Sequence, residues 1–165
     1  MTSTFLLYAA LIGVGATAVM DLVALARKWF AGTPPPDYGL VGRWFAYMPR
    51  GQFRHDAIGK SPPLPGERAI GWIAHYLVGI AYAGIVLAIW GVEWAHRPTL
   101  LPALIVGIGT VAAPFLLMQP GMGAGIASSR TPNPAAARVR SLIAHASFAL
   151  GLYVAGWATS ILPIW

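Results

Sequence analysis

Long apolar stretches alternate with short polar ones along this chain, and the alternation predicts its elements. Residues 5–30, 69–90, 100–118 and 135–162 are almost free of charge. At a rise of ~1.5 Å per residue, each is long enough to cross ~30 Å of hydrocarbon. Punctuation agrees with these limits. Arg27, Lys28 and Trp29 close the first stretch before Gly32-Thr33-Pro34-Pro35-Pro36, where three prolines cannot continue a helix. Gly91 ends the second, and Pro98 precedes the third. Asn133 is placed to cap the fourth, with Pro134 in its first turn. The expected fold is all-α: a polytopic membrane protein of four transmembrane helices, one integral domain over 1–165, with connections at 31–68 and 119–134.

Composition strengthens this reading. The chain is 57% hydrophobic and 10% charged, against roughly 25% charged in a soluble domain. With no cysteine, there is no disulfide, thiolate metal site or cysteine nucleophile. The net charge of +6 could suggest nucleic acid, but the positions of the basic residues argue against it. All but Arg97 lie at Arg27–Lys28, between Arg43 and Arg68, or between Arg130 and Arg140. Those are alternate connections of a four-span chain, so the positive-inside rule puts them in the cytoplasm and both termini outside. No basic face remains for phosphates of a nucleic acid. Ala16-Thr17-Ala18 resembles a leader cleavage site, yet no positive segment precedes it, and the first helix is expected to be retained. Trp90, Trp94, Trp157 and Trp165 fall near the outer interface, and Trp29, Trp44 and Trp72 near the inner one. Glycines such as Gly13, Gly79, Gly107 and Gly151 punctuate the spans and are expected to bring helices close together.

A repeat with a constant offset of seventy residues is also present. Laying Val41–His75 on Val111–His145 without a gap gives ten identical pairs, among them Phe45/Phe115, Met48/Met118, Gly51/Gly121, Pro62/Pro132, Arg68/Arg138 and His75/His145. It predicts a parallel two-helix repeat, with spans one and two equivalent to spans three and four.

Ionisable groups inside a span are costly and point to function. Asp21 lies six residues before Arg27; His75 and His145 each follow an arginine, Arg68 and Arg138, by seven. All three are therefore about 9–10 Å deep from the same end, where Gln119 closes the third span. These four residues form the expected polar intramembrane site, suited to a proton relay; the alternative is that they only tie helices together. A second candidate is an anion or headgroup site. Gly121, Gly123 and Gly125 permit backbone N–H groups to converge, the fourth helix begins just beyond them, and Arg130 and Arg138 add charge. Arg43, Arg50, Arg54, His55, Lys60 and Arg68 repeat the theme in the longer connection, interleaved with Trp44, Phe45, Tyr47 and Phe53 as in an interfacial segment. Binding of anionic lipid headgroups alone would account for these basic stretches. His55–Asp56 is a weak acid/base signal, and no HExxH, paired-carboxylate or Ser-His-Asp pattern occurs.

Asp21, Gly42-Arg43-Trp44, Met48-Pro49-Arg50-Gly51, Gly71-Trp72 with His75-Tyr76, and residues 118–134 with Arg138, Ser141-Leu142 and His145 resemble a bacterial inner-membrane family catalogued as a domain of unknown function. The resemblance covers nearly the whole chain. It implies a four-span protein of the bacterial inner membrane and brings no activity with it. The leading functional expectation is a small transporter or channel, working as a homo-oligomer, for a small anionic or zwitterionic solute. It needs no cofactor or metal and no catalytic residue. One alternative is a b-type haem protein with His75 and His145 as axial ligands. Another is an accessory subunit of a larger membrane complex. Enzymatic activity is the less favoured class.

Overall fold

The computed structural model describes residues 2–162, all of its regular structure helical; Trp165 lies outside the described residues. The long helices are α1 (Thr2–Ala31), α3 (Glu67–Trp90) and α7 (Pro134–Ser160). Shorter ones are α2 (Tyr38–Tyr47), α4 (Glu93–His96), α5 (Leu100–Gly109) and α6 (Gln119–Gly121). Four segments, Thr2–Ala31, Glu67–Trp90, Leu100–Gly121 and Pro134–Ser160, are long and apolar enough to cross a membrane. They mark a multi-pass membrane protein, with limits within a few residues of the expected ones. Much of their apolar surface is exposed, for example Leu22, Ile73, Leu101 and Leu117, as suits side chains solvated by lipid.

The chain divides into two compact units that interleave in sequence. Of the described residues, the first comprises 2–35, 76–110 and 143–162. Its core gathers Tyr8, Ile12 and Ala16 from α1, Ala83, Val86 and Leu87 from α3, Trp94 from α4, Ala103 and Val106 from α5, and Phe148 and Leu152 from α7. With no hydrophobic drive between helices in lipid, small residues set their distance. Gly13 meets the backbone of Ile80, Gly151 that of Ala16, and Gly107 that of Ala149, so a methyl group at any of the three would collide with main chain. α1 ends through Gly32, whose φ of 62° lets Gly32 N–H and Thr33 N–H donate to the carbonyls of Lys28 and Arg27.

The second unit comprises residues 36–75 and 111–142. These hold most of the two stretches related by the seventy-residue offset, so the repeated sequence builds a body of its own, except that residues 143–145, with His145, fall in the first unit. Each stretch carries a helical segment, then Gly51 or Gly121, then a loop with one 3₁₀ turn, Ile58–Lys60 or Ile126–Ser128, then the start of a long helix. In the first stretch the helical segment is α2, capped by Asp37, whose carboxylate accepts from Gly39 N–H at 2.9 Å. In the second it begins with a π-helical turn, Pro114–Met118. Pro114 has no N–H for a carbonyl four residues earlier, which accounts for α5 stopping at Gly109 and for the looser turn that follows. α2 lies on the start of α3: Gly42 meets Glu67 and Gly71, and Gly71 meets the carbonyl of Tyr38.

Candidate functional site

Arg43, projecting from α2, organises the first loop of the second unit. Its guanidinium makes a two-pronged pair with Glu67 at the head of α3, Nε and Nη2 each 2.7 Å from a carboxylate oxygen. Its remaining nitrogen donates to the carbonyls of Ser61 at 2.8 Å and Ile58 at 3.4 Å. The hydrogen bond to Glu67 holds the Arg43 pKa above the ordinary arginine value. Glu67 in turn accepts from Leu64 N–H, Tyr47 Oη donates to the carbonyl of Pro62, and Trp44 Nε1 donates to that of Phe53. A loop with so many of its carbonyls claimed is a rigid platform.

The second loop is fastened to this platform. His55 N–H donates to the carbonyl of Gly121 at 2.9 Å, and Ile58 N–H to that of Met122 at 3.0 Å. Gly121 lies under the Trp44 indole, and Gly123, at φ 91°, lies against the carbonyls of His55 and Asp56, so neither position has room for a side chain. The N–H groups of Gly123 and Ala124 are spent on the carbonyls of Pro120 and Gln119, and those of Ser128, Ser129, Arg130 and Thr131 on other carbonyls of this loop. Gly121 and Gly123 therefore contribute by lacking a side chain, which permits the close approach. Two non-glycine residues are left-handed, Ala127 at φ 47° and Ser128 at φ 60°. Each has its carbonyl held by a side chain, Arg138 Nε on Ala127 and Thr131 Oγ1 on Ser128, both at 2.8 Å.

Between these two loops of one unit lies an open cavity of about 700 Å³. Arg54, Lys60 and Arg130 line it, with one carboxylate, Asp56. Unlike Arg43, none of the three cations is tied to a carboxylate or a carbonyl of the described residues. Gln52, Ser61 and Ser129 add neutral donors, and Gly125 forms part of the wall. His55, also lining, is 9% exposed. Its Nδ1 is 3.0 Å from Ser61 Oγ, its ring meets the Tyr47 ring edge-on, and its Nε2 is buried without a partner. An orphaned buried nitrogen costs about 1–3 kcal/mol until something bonds to it.

The expected site residues are distributed as follows. Gly125 and Arg130 line the cavity; Arg43 and Arg138 are committed to loop carbonyls, and Arg50 covers the Tyr47 ring at 5.5 Å. Arg68 is on the first turn of α3 and is absent from the cavity wall. Asp21 accepts a hydrogen bond from Tyr76 Oη at 3.2 Å in the first unit. In the same unit His145 Nδ1 lies 3.1 Å from the carbonyl of Gly107 and 3.2 Å from Thr110 Oγ1. A carbonyl only accepts, so Nδ1 carries a proton. In the second unit His75 stacks on Tyr38 with ring centroids 4.1 Å apart, and Trp72 closes on its edge. Gln119 is buried, its amide nitrogen 3.3 Å from Ser141 Oγ and its oxygen without a partner. Among the described residues no three His, Asp or Glu side chains gather to hold a metal ion. Sequence reasoning passed over Gln52, Ser61 and Ser129, and treated Arg54 and Lys60 only as part of an interfacial run.

No curated protein and no solved structure matches the chain significantly. A family model does, over residues 10–159, and its description is a protein of unknown function. With nearly all of its length matched, this chain belongs to the DUF2938 family.

Proposed function

We propose that this protein is a small transporter of the bacterial inner membrane, working as a homo-oligomer, that receives an anionic solute from the cytoplasm in the basic cavity of its second unit. The observation that carries this reading is the trio Arg54, Lys60 and Arg130, all lining one cavity and without an ion-pair partner among the described residues. Like charges repel, so a fold that assembles three of them on a rigid platform with a single carboxylate, Asp56, is shaped for an anion that arrives from outside. The same basic loops make that face the cytoplasmic one by the positive-inside rule. Polar groups within the spans fit the movement of charge: Asp21 with Tyr76, and His145 held through Nδ1 by the Gly107 carbonyl.

The test is charge movement in proteoliposomes on a solid-supported membrane, screened with phosphate, phosphate esters, carboxylates and amino acids. An anion-dependent current that Arg130→Gln diminishes is expected. Folded, reconstituted protein giving no current with any of these solutes would refute the reading.

A further inference from the structure

We infer that the cavity recognises a phosphate monoester whose organic part carries a hydroxyl or ammonium group. The inference rests on the anion-receiving role just proposed and names its ligand class. Charge comes first. Three cations against one carboxylate leave the wall with two net positive charges, and a phosphate monoester carries about −1.5 to −2 near neutrality. A monocarboxylate would neutralise half of that.

Donor count comes second. Besides the cations, the wall offers Gln52, Ser61 and Ser129. Three terminal phosphate oxygens can take this many hydrogen bonds, whereas two carboxylate oxygens leave several unused.

Shape comes third. About 700 Å³ exceeds what a bare phosphate fills and suits a small organic molecule. Asp56 is the one ionic acceptor on a wall of donors, and it calls for a donor on the organic part. Phospholipid headgroups and free phosphate esters share this chemistry.

The experiment uses the full chain in phosphatidylcholine nanodiscs, titrated calorimetrically with O-phosphoethanolamine, glycerol 3-phosphate and succinate. Both esters are expected to bind at least about tenfold more tightly than succinate. Arg130→Gln is expected to weaken them by about tenfold or more, the loss of one charged hydrogen bond. Arg130 makes no ion pair or side-chain hydrogen bond among the described residues, so this variant should keep its melting temperature, and Arg130→Lys should recover part of the affinity. Succinate binding as tightly as the esters overturns the phosphate assignment and leaves the anion-transport reading standing. Absence of binding by all three and by phosphatidic acid overturns both. Ester binding untouched by Arg130→Gln places the site elsewhere and overturns the inference. Addition of phosphatidic acid to the nanodiscs separates the two sources: if only the lipid occupies the site, the phosphate class holds and transport of a soluble solute falls.

Discussion

Replacing Gly71 by alanine tests the packing on which the second unit depends. A β-carbon at Gly71 would fall on the carbonyl oxygen of Tyr38, 2.7 Å from its carbon and 3.0 Å from Gly42 N. Carbon atoms in contact prefer about 3.5–4.0 Å, and here every obstacle is backbone. α2 must therefore retreat by about 1 Å, which loosens the Arg43 clamp that α2 carries. Overpacking of this kind costs about 3 kcal/mol, while the change from glycine to alanine in a helix returns about 1 kcal/mol. The net loss of about 2 kcal/mol corresponds to a fall of about 4–8 °C in melting temperature for a chain of this size. Gly84, in the same helix, is the control. A methyl group there would meet Phe5 and Ala9 at 3.8–3.9 Å, an ordinary contact, so Gly84→Ala should gain up to about 1 kcal/mol. Thermal unfolding in detergent, followed by size-exclusion chromatography, reads both variants. If Gly71→Ala melts at or above the wild-type temperature, the close approach of α2 and α3 described above is wrong.

Further outcomes follow from other parts of the fold. Ala127→Gly should raise stability by about 0.5–1 kcal/mol, since glycine adopts φ 47° without the penalty alanine bears; Arg138→Gln, which releases the Ala127 carbonyl, should speed hydrogen exchange across residues 124–131. Leu152 is wholly buried in the first unit, and Leu152→Ala should cost about 2–5 kcal/mol, seen as a lower melting temperature in the same detergent assay. The absence of cysteine makes Ser129→Cys a single labelling site. In that variant a negatively charged thiol reagent should react about tenfold faster than a positively charged one of equal size, through attraction to Arg54, Lys60 and Arg130. Equal rates would mean that the cavity carries no positive field.

The four spans were legible because length and apolar composition decide them without tertiary information. α2 was not. Tyr38–Tyr47 mixes Gly39, Gly42 and Arg43 with aromatic residues, and in sequence this looks like an interfacial loop; only its contact with α3 explains the glycines. The break before Pro114 had a visible cause in the proline itself, yet the surrounding apolar run hid it. Arg43 and Arg54 are alike in sequence, both basic residues among aromatics. What separates them is Glu67, twenty-four residues beyond Arg43 in the chain. With five acidic residues in the whole protein, an acid at the head of a helix was a signal that could have been read. Ser61 and Ser129 gave none, because a serine in a loop acquires meaning only from what faces it. The seventy-residue repeat was legible as sequence, and its consequence, a separate body assembled from both copies, required coordinates.

The interleaving has a consequence for how the protein is made. His55 and Ile58 bond to Gly121 and Met122, partners that leave the ribosome about 65 residues later. At about 5–20 residues per second, the first loop waits several seconds for the strand of chain that completes it. During that interval the clamp between Arg43 and Glu67 is the strongest of the contacts that can already form, since both ends are local to the nascent segment. Biogenesis should thus be most sensitive to Arg43, and slowing translation between residues 75 and 120 should lengthen the time for which the half-made unit is open to proteases.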